Sequence, residues 1–176
     1  VREGTRPILL EVQALVDPSQ LNNPRRVALG LEHNRLAMML AVLHRHGGIA
    51  LADHDVFINV VGGIRVSETA ADLPVALALY SSFRDRAVPQ KTICFGEVGL
   101  SGEVRPVPDG EQRLREAGGH GFARALVPAA NAPRKAIAGM EVVALRHIRA
   151  ALDQAFLGQS CIGAIVSQPF KRIRPE

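Results

Sequence analysis

With 176 residues, 47% of them hydrophobic, the chain can bury the core of one globular domain. Its apolar runs are too short to span a bilayer, and its N-terminus lacks the apolar stretch of a signal peptide. Its two cysteines are too few for a disulfide framework or a zinc site. A cytoplasmic protein is therefore expected. The net charge is +4, and only three of the 21 basic residues are lysines, which leaves arginine as the main cation.

The first half of the chain is predicted to contain three strands and two helices, from the spacing of its apolar residues. The strands cover 8–16, 27–29 and 56–61. The helices run from His33 to the Gly47-Gly48 pair and from Ala70 to Phe83. Pro74 lies near the start of the second helix, where proline disturbs a helix least.

The second half is predicted to form a strand, a hairpin, a helix and another strand. A strand over 93–95 leads into a hairpin, and the Gly99–Gly102 turn has glycine at both ends to supply positive φ. Asp109 is predicted to cap the next helix in a capping box with Gln112, and Gly118-Gly119 to end it. The remaining elements are strands over 123–127 and 142–145 and a helix over 147–156.

Strands and helices alternate, but hairpins and short connections argue against an all-parallel sheet. The predicted fold class is therefore α/β (α+β), with a mixed sheet packed against helices. We expect one domain over 1–156. The segment 157–176 is loop-like, then apolar, then basic, and we treat it as a C-terminal tail.

The motifs between Phe95 and Pro133 resemble the proteolytic domain of Lon proteases. They are more similar still to the C-terminal, Lon-protease-like domain of the RadA (Sms) family of bacterial DNA-repair proteins. The segments that carry this resemblance are EGTRP, EVQALV, NRLAM, VGGIRVSETAADLP, FGEVGLSGEVRPV and VPAAN. The resemblance covers about residues 3–156 and implies a fold like that of ribosomal protein S5 domain 2.

Lon proteases use a serine nucleophile whose proton is taken by a lysine. When the family's motifs are aligned with this chain, the serine position holds Ala71 and the lysine position holds Glu111. Alanine has no hydroxyl group, and a glutamate in the lysine's pocket would have no nucleophile to activate. No lysine lies between Lys91 and Lys135. The resemblance therefore implies a domain without peptidase activity.

Four arginines are predicted to contact duplex or branched DNA, because guanidinium groups suit phosphate oxygens: Arg25, Arg26, Arg35 and Arg65. Arg26 and Arg35 would face one surface if the segment between them doubles back. All four are taken to be exposed, so that alanine in their place should leave folding unchanged. The low aromatic content, 4%, disfavours stacking on single strands.

The resemblance also implies a hexameric ring that holds DNA while an upstream RecA-like ATPase drives branch migration in recombinational repair. ATP with magnesium and a zinc ion would belong to upstream domains, and this segment itself would hold no cofactor. Implied partners are RecA recombinase and a replicative helicase, without a membrane. Two alternatives stay open: an active Ser-Lys peptidase of the Lon type, and a ring-forming protein-docking module that does not contact DNA.

Overall fold

The computed structural model describes residues 2–3 and 6–156. The predicted tail, 157–176, lies outside these described residues. The strands are β1 (Arg2–Glu3), β2 (Arg6–Pro7), β3 (Val12–Pro18), β4 (Arg26–Leu29), β5 (His54–Val60), β6 (Thr92–Cys94), β7 (Glu97–Val98), β8 (Val104–Arg105), β9 (Arg124–Pro128) and β10 (Glu141–Leu145). The helices are α1 (His33–Val42), α2 (Asp72–Arg84), α3 (Gly110–Gly119) and α4 (Ile148–Ala155).

The larger strands form two separate three-stranded sheets. In the first, with order β3-β5-β4, β3 runs antiparallel and β4 parallel to the central β5. In the second, with order β10-β9-β6, all strands are parallel. The predicted α/β class is confirmed, and the mixed sheet expected from the sequence is the first of the two.

The main hydrophobic core joins both sheets through α1, α2 and α4. Its fully buried members include Leu36, Met39, Ile58, Leu73, Leu77, Leu126, Leu145 and Ile148. A second cluster lies beneath α3, around Leu114, Phe95 and Val127. Since β3 alternates half-buried and exposed residues, only one face of the first sheet packs against helices, and Leu15 on its other face is 58% exposed.

The hairpin β7–β8 has the predicted glycine turn, which backbone hydrogen bonds close. The Gly99 amide donates to the Glu103 carbonyl and the Gly102 amide to the Gly99 carbonyl, each at 2.9 Å. Gly102 has φ 83°, and a Cβ there would lie 2.6 Å from Nε2 of His147. Only glycine therefore suits this position.

Two local predictions differ from the structure, and one is confirmed. Residues 8–11 precede β3 and are not part of a strand. The predicted end of the first helix at Gly47-Gly48 is confirmed, because α1 continues through a π-helical turn, Leu43–Gly47, to the left-handed Gly48. The predicted capping box is wrong: Asp109 is left-handed with φ 60°, and its side chain makes no capping hydrogen bond. A capping side chain needs an extended backbone at that position.

Cys94 on the edge strand β6 packs against the main core, and burial raises the pKa of its thiol to about 12. We predict that in a Cys161→Ser variant at pH 8 the native protein reacts very slowly with a disulfide reagent, since the thiolate fraction is on the order of 10⁻⁴. The same variant in concentrated urea is the control and should react at the rate of a free cysteine. Equal rates in the two conditions would show that Cys94 is accessible and ionised.

Candidate functional site

Ala71, aligned with the Lon serine, occupies a buried apolar position. It ends the 3-10 turn Thr69–Ala71 immediately before α2 and is 5% exposed. It shares a small core cluster with Val60 and Val66, against which Leu10 packs. The structure therefore uses this position for packing.

The next residue, Asp72, is a carboxylate with 1% exposure that joins three elements. Arg35 of α1 grips both of its oxygens, with Nε 2.6 Å from Oδ1 and Nη2 donating to Oδ2. The Val98 amide of β7 also donates to Oδ2, at 3.0 Å. Burial raises the pKa of Asp72, while the hydrogen bonds from Arg35 and Val98 oppose this rise. The hydrogen bond to Asp72 in turn raises the pKa of Arg35. We call these three residues the Asp72 junction.

The lysine-aligned residue is exposed on α3. The Glu111 side chain is 59% exposed and pairs with Arg115 one turn along α3, at 2.6 Å. Two other α3 residues, Arg113 and Glu116, line the groove that Ala71 also lines. The expectation that Glu111 fills the lysine's pocket is therefore wrong. An i,i+4 partner on its own helix turns it toward solvent instead.

Arg113 is 5% exposed and fastens α3 to the segment before Ala71. Its Nη2 donates to the Glu68 carboxylate, and its Nε donates to the Pro108 carbonyl at 3.0 Å. The guanidinium carbon lies 5.9 Å from the centre of the Phe95 ring. Asp72 and Arg113 each join two or more elements through buried hydrogen bonds, and the sequence did not predict either role. The signal that could have indicated these roles was a charged residue within an otherwise apolar pattern.

A groove of about 1650 Å³ runs along α2, between β3 and the segment 85–95. Two serines line it, and the backbone already occupies both hydroxyl groups. Ser81 Oγ donates to the Arg86 carbonyl at 2.5 Å, and Ser82 Oγ accepts from the Val16 amide at 2.9 Å. Within residues 8–156 no hydrogen bond joins either serine to a lysine.

Two of the four predicted DNA-contacting arginines make extensive internal contacts. Arg26 donates through Nη1 to the His54 carbonyl and through Nη2 to the Leu51 carbonyl, at 2.7 Å for the latter. Arg35 belongs to the Asp72 junction. Both side chains are half-buried, so the premise that they are exposed is wrong. Arg26 begins β4, whereas Arg35 lies in the first turn of α1, and each guanidinium group is held by a different set of internal partners.

The other two arginines remain open to solvent. The Arg25 side chain is 62% exposed, and its Nε lies 3.7 Å from the Asp55 carboxylate. Arg65 is exposed in the loop after β5 and follows Gly62 and Gly63 in the sequence. Because exposed pairs at such distances bind weakly, both guanidinium groups are available to an external anion.

Among the described residues, no group of three or more histidine, cysteine or acidic side chains is placed to hold a metal ion. In the same part of the chain, every helix is too short or too polar to cross a membrane.

A family model described as subunit ChlI of Mg-chelatase matches residues 31–131. Curated proteins named DNA repair protein RadA match most of the chain: 62% identity over 153 residues in Escherichia coli, 63% over 154 in Pseudomonas aeruginosa and 45% over 162 in Bacillus subtilis. These alignments cover 87%, 88% and 89% of this chain but only 33%, 34% and 34% of the relatives. The chain thus spans about a third of the length of the curated relatives it matches.

We predict that Arg35→Ala lowers the free energy of unfolding by about 3 kcal/mol, because it leaves Asp72 buried without its counter-charge. Arg25→Ala is the matched control. It removes an exposed, distant ion pair and should lower the free energy of unfolding by less than about 1 kcal/mol. Urea denaturation of both variants measures the difference. Equal losses would mean that the Asp72 junction does not hold the fold.

Proposed function

Because the chain belongs to the protein family described as subunit ChlI of Mg-chelatase, and because RadA proteins are its relatives over most of its length, we propose that it is a scaffold domain of a RadA-type DNA repair protein. In this role it contacts duplex DNA and does not cleave peptides. The observation that carries the proposal is the 62% identity to the E. coli DNA repair protein RadA over 87% of this chain.

The absence of peptidase activity is supported by the two positions aligned with the Lon dyad. Ala71 is an apolar packing residue, and Glu111 faces solvent beside Arg115. The Asp72 junction and the Arg113–Glu68 pair flank Ala71, so charged groups near this position serve to join elements. A reactive site needs a nucleophile and a base within hydrogen-bonding reach of each other.

DNA contact is supported by the exposed guanidinium groups of Arg25 and Arg65 at the two ends of β4. Both groups are suited to phosphate oxygens, and such contacts do not depend on the base sequence of the DNA. Arg26 and Arg35 are half-buried. Their internal hydrogen bonds fix the segments that they join, and Asp72 balances the charge of Arg35.

In the longer protein, this domain would form part of a hexameric ring, in which weak single contacts add through repetition around a channel. An upstream RecA-like motor would use ATP with magnesium, and an upstream domain would hold a zinc ion. RecA recombinase and a replicative helicase are the proposed partners in branch migration during recombinational repair.

We predict that neither Ala71→Ser nor the double variant Ala71→Ser, Glu111→Lys hydrolyses labelled casein. A lysine at position 111 would start from an exposed site on α3, where Glu111 now pairs with Arg115. An active Lon protease assayed in parallel is the positive control. Hydrolysis by the unaltered chain that copurifies with it through successive columns would overturn the non-peptidase assignment.

We further predict that Arg25→Gln, Arg65→Gln weakens binding to a fluorescent duplex severalfold, equally for unrelated sequences. The slope of log affinity against log salt should fall by about 2, because each lost phosphate contact removes about 0.9. Arg115→Gln, Arg134→Gln is the control, since it removes the same charge from exposed positions on other elements. Fluorescence anisotropy over a salt series makes the measurement. An equal loss in the control would mean that net charge alone governs binding.

A further inference from the structure

The turn of the β7–β8 hairpin is held rigidly at the protein surface by two other elements. His46, from the π-helical turn after α1, donates from Nε2 to the Leu100 carbonyl at 3.0 Å. His147, the N-cap of α4, donates from Nε2 to the Ser101 carbonyl at 3.1 Å. A carbonyl can only accept, so each ring carries its proton on Nε2. The two rings meet edge to face, with centroids 5.6 Å apart.

The backbone fixes the same turn against the connection between β10 and α4. The Val104 amide donates to the Arg146 carbonyl at 2.9 Å, and the Ile148 amide donates to the Gly102 carbonyl at 2.7 Å. The turn therefore cannot move separately from Arg146 and the start of α4.

Three exposed arginines surround this turn. Arg45 lies in the π-helical turn next to His46, and Arg146 directly precedes His147. Arg149 lies in the first turn of α4, and its Nη1 is 3.5 Å from where a Cβ on Gly48 would lie. The histidines that clamp the hairpin thus bring two basic segments to one end of the protein. We define the hairpin-end surface as the turn Gly99–Gly102 with Arg45, Arg146 and Arg149.

In the described part of the chain, none of these three arginines has a carboxylate partner. Other arginines are paired with acids, as in Arg35–Asp72, Arg113–Glu68, Arg115–Glu111 and Arg124–Glu141. The nearest acid to the turn, Glu103, is already engaged by Ser101 and Arg105. Those contacts lower the pKa of Glu103 to about 2, so it stays ionised and paired with Arg105. Asp153, one helical turn after Arg149, is exposed and forms no ion pair with it.

We infer that the hairpin-end surface binds the phosphate backbone of duplex DNA, separately from Arg25 and Arg65. This inference rests on the proposed function, since it adds a second contact region to the same DNA-binding role. Arginine forks that no carboxylate occupies match phosphate oxygens. The backbone hydrogen bonds of the turn fix the main chain at Arg146 and the start of α4 before the ligand arrives, which lowers the entropy lost on binding. Both histidine Nε2 donors are used internally, so the contact to phosphate is through the arginines.

The test uses the whole chain and a fluorescent duplex of mixed sequence, measured by anisotropy over a salt series. The variant is Arg45→Gln, Arg146→Gln, Arg149→Gln. We expect its Kd to rise at least about tenfold at physiological salt, and the salt slope to fall by about 2 to 3, at roughly 0.9 per phosphate. The control, Arg115→Gln, Arg134→Gln, Lys135→Gln, removes the same charge from other exposed positions and should change Kd less than about threefold. Urea denaturation confirms that both variants fold.

Two outcomes overturn the inference alone. In one, the hairpin-end variant binds like the parent while Arg25→Gln, Arg65→Gln loses affinity, which leaves DNA contact intact but places it elsewhere. In the other, the control loses as much affinity as the hairpin-end variant, so that only net charge matters. If the unaltered chain does not bind duplex DNA at low salt, the proposed DNA contact itself fails, and this inference fails with it.

Discussion

The structure depends on one buried charge, the Asp72 carboxylate. It begins α2, and its oxygens accept from Arg35 of α1 and from the Val98 amide of the hairpin, so two helices and the hairpin meet at a single group. Removing such a charge from water is unfavourable unless its oxygens are satisfied, and here they are. The same contacts fix Ala71, the residue immediately before it, in an apolar cluster with Val60 and Val66.

Arginine has two roles in this molecule, and burial separates them. Three arginines form several internal hydrogen bonds each. Arg26 closes a loop, Arg35 joins two helices, and Arg113 fastens α3 to the segment before Ala71. Other arginines face solvent, among them Arg25, Arg65 and those of the hairpin-end surface. The planar fork with several donors suits both tasks, because it can satisfy a buried carboxylate or grip an external phosphate. A high arginine content therefore indicates nucleic-acid binding only if enough arginines remain exposed once those with internal partners are left out.

Most elements could be predicted from apolar spacing and glycine punctuation, because core packing imposes both: β5, α2, the hairpin turn and α4 all lie within a few residues of their predicted bounds. The backbone conformation of Asp109 could not, since a residue's type does not reveal that its backbone is left-handed, and the predicted cap was wrong for that reason. The partners of Arg35 and Arg113 lie 37 and 45 positions away in the chain, and only the folded packing brings them together. Family motifs gave the aligned positions of the dyad, but not that Glu111 is exposed and paired with Arg115.

The proposed role of this domain is that of a scaffold that holds duplex DNA. Sedimentation velocity of the chain with a dye-labelled duplex, recorded at the dye's absorbance, is a direct test of this role. At low salt we expect the duplex to sediment with more than one protomer, and this complex to dissociate as salt rises, because its contacts are to phosphate. A duplex that sediments as free DNA at low salt, however high the protein concentration, would contradict it.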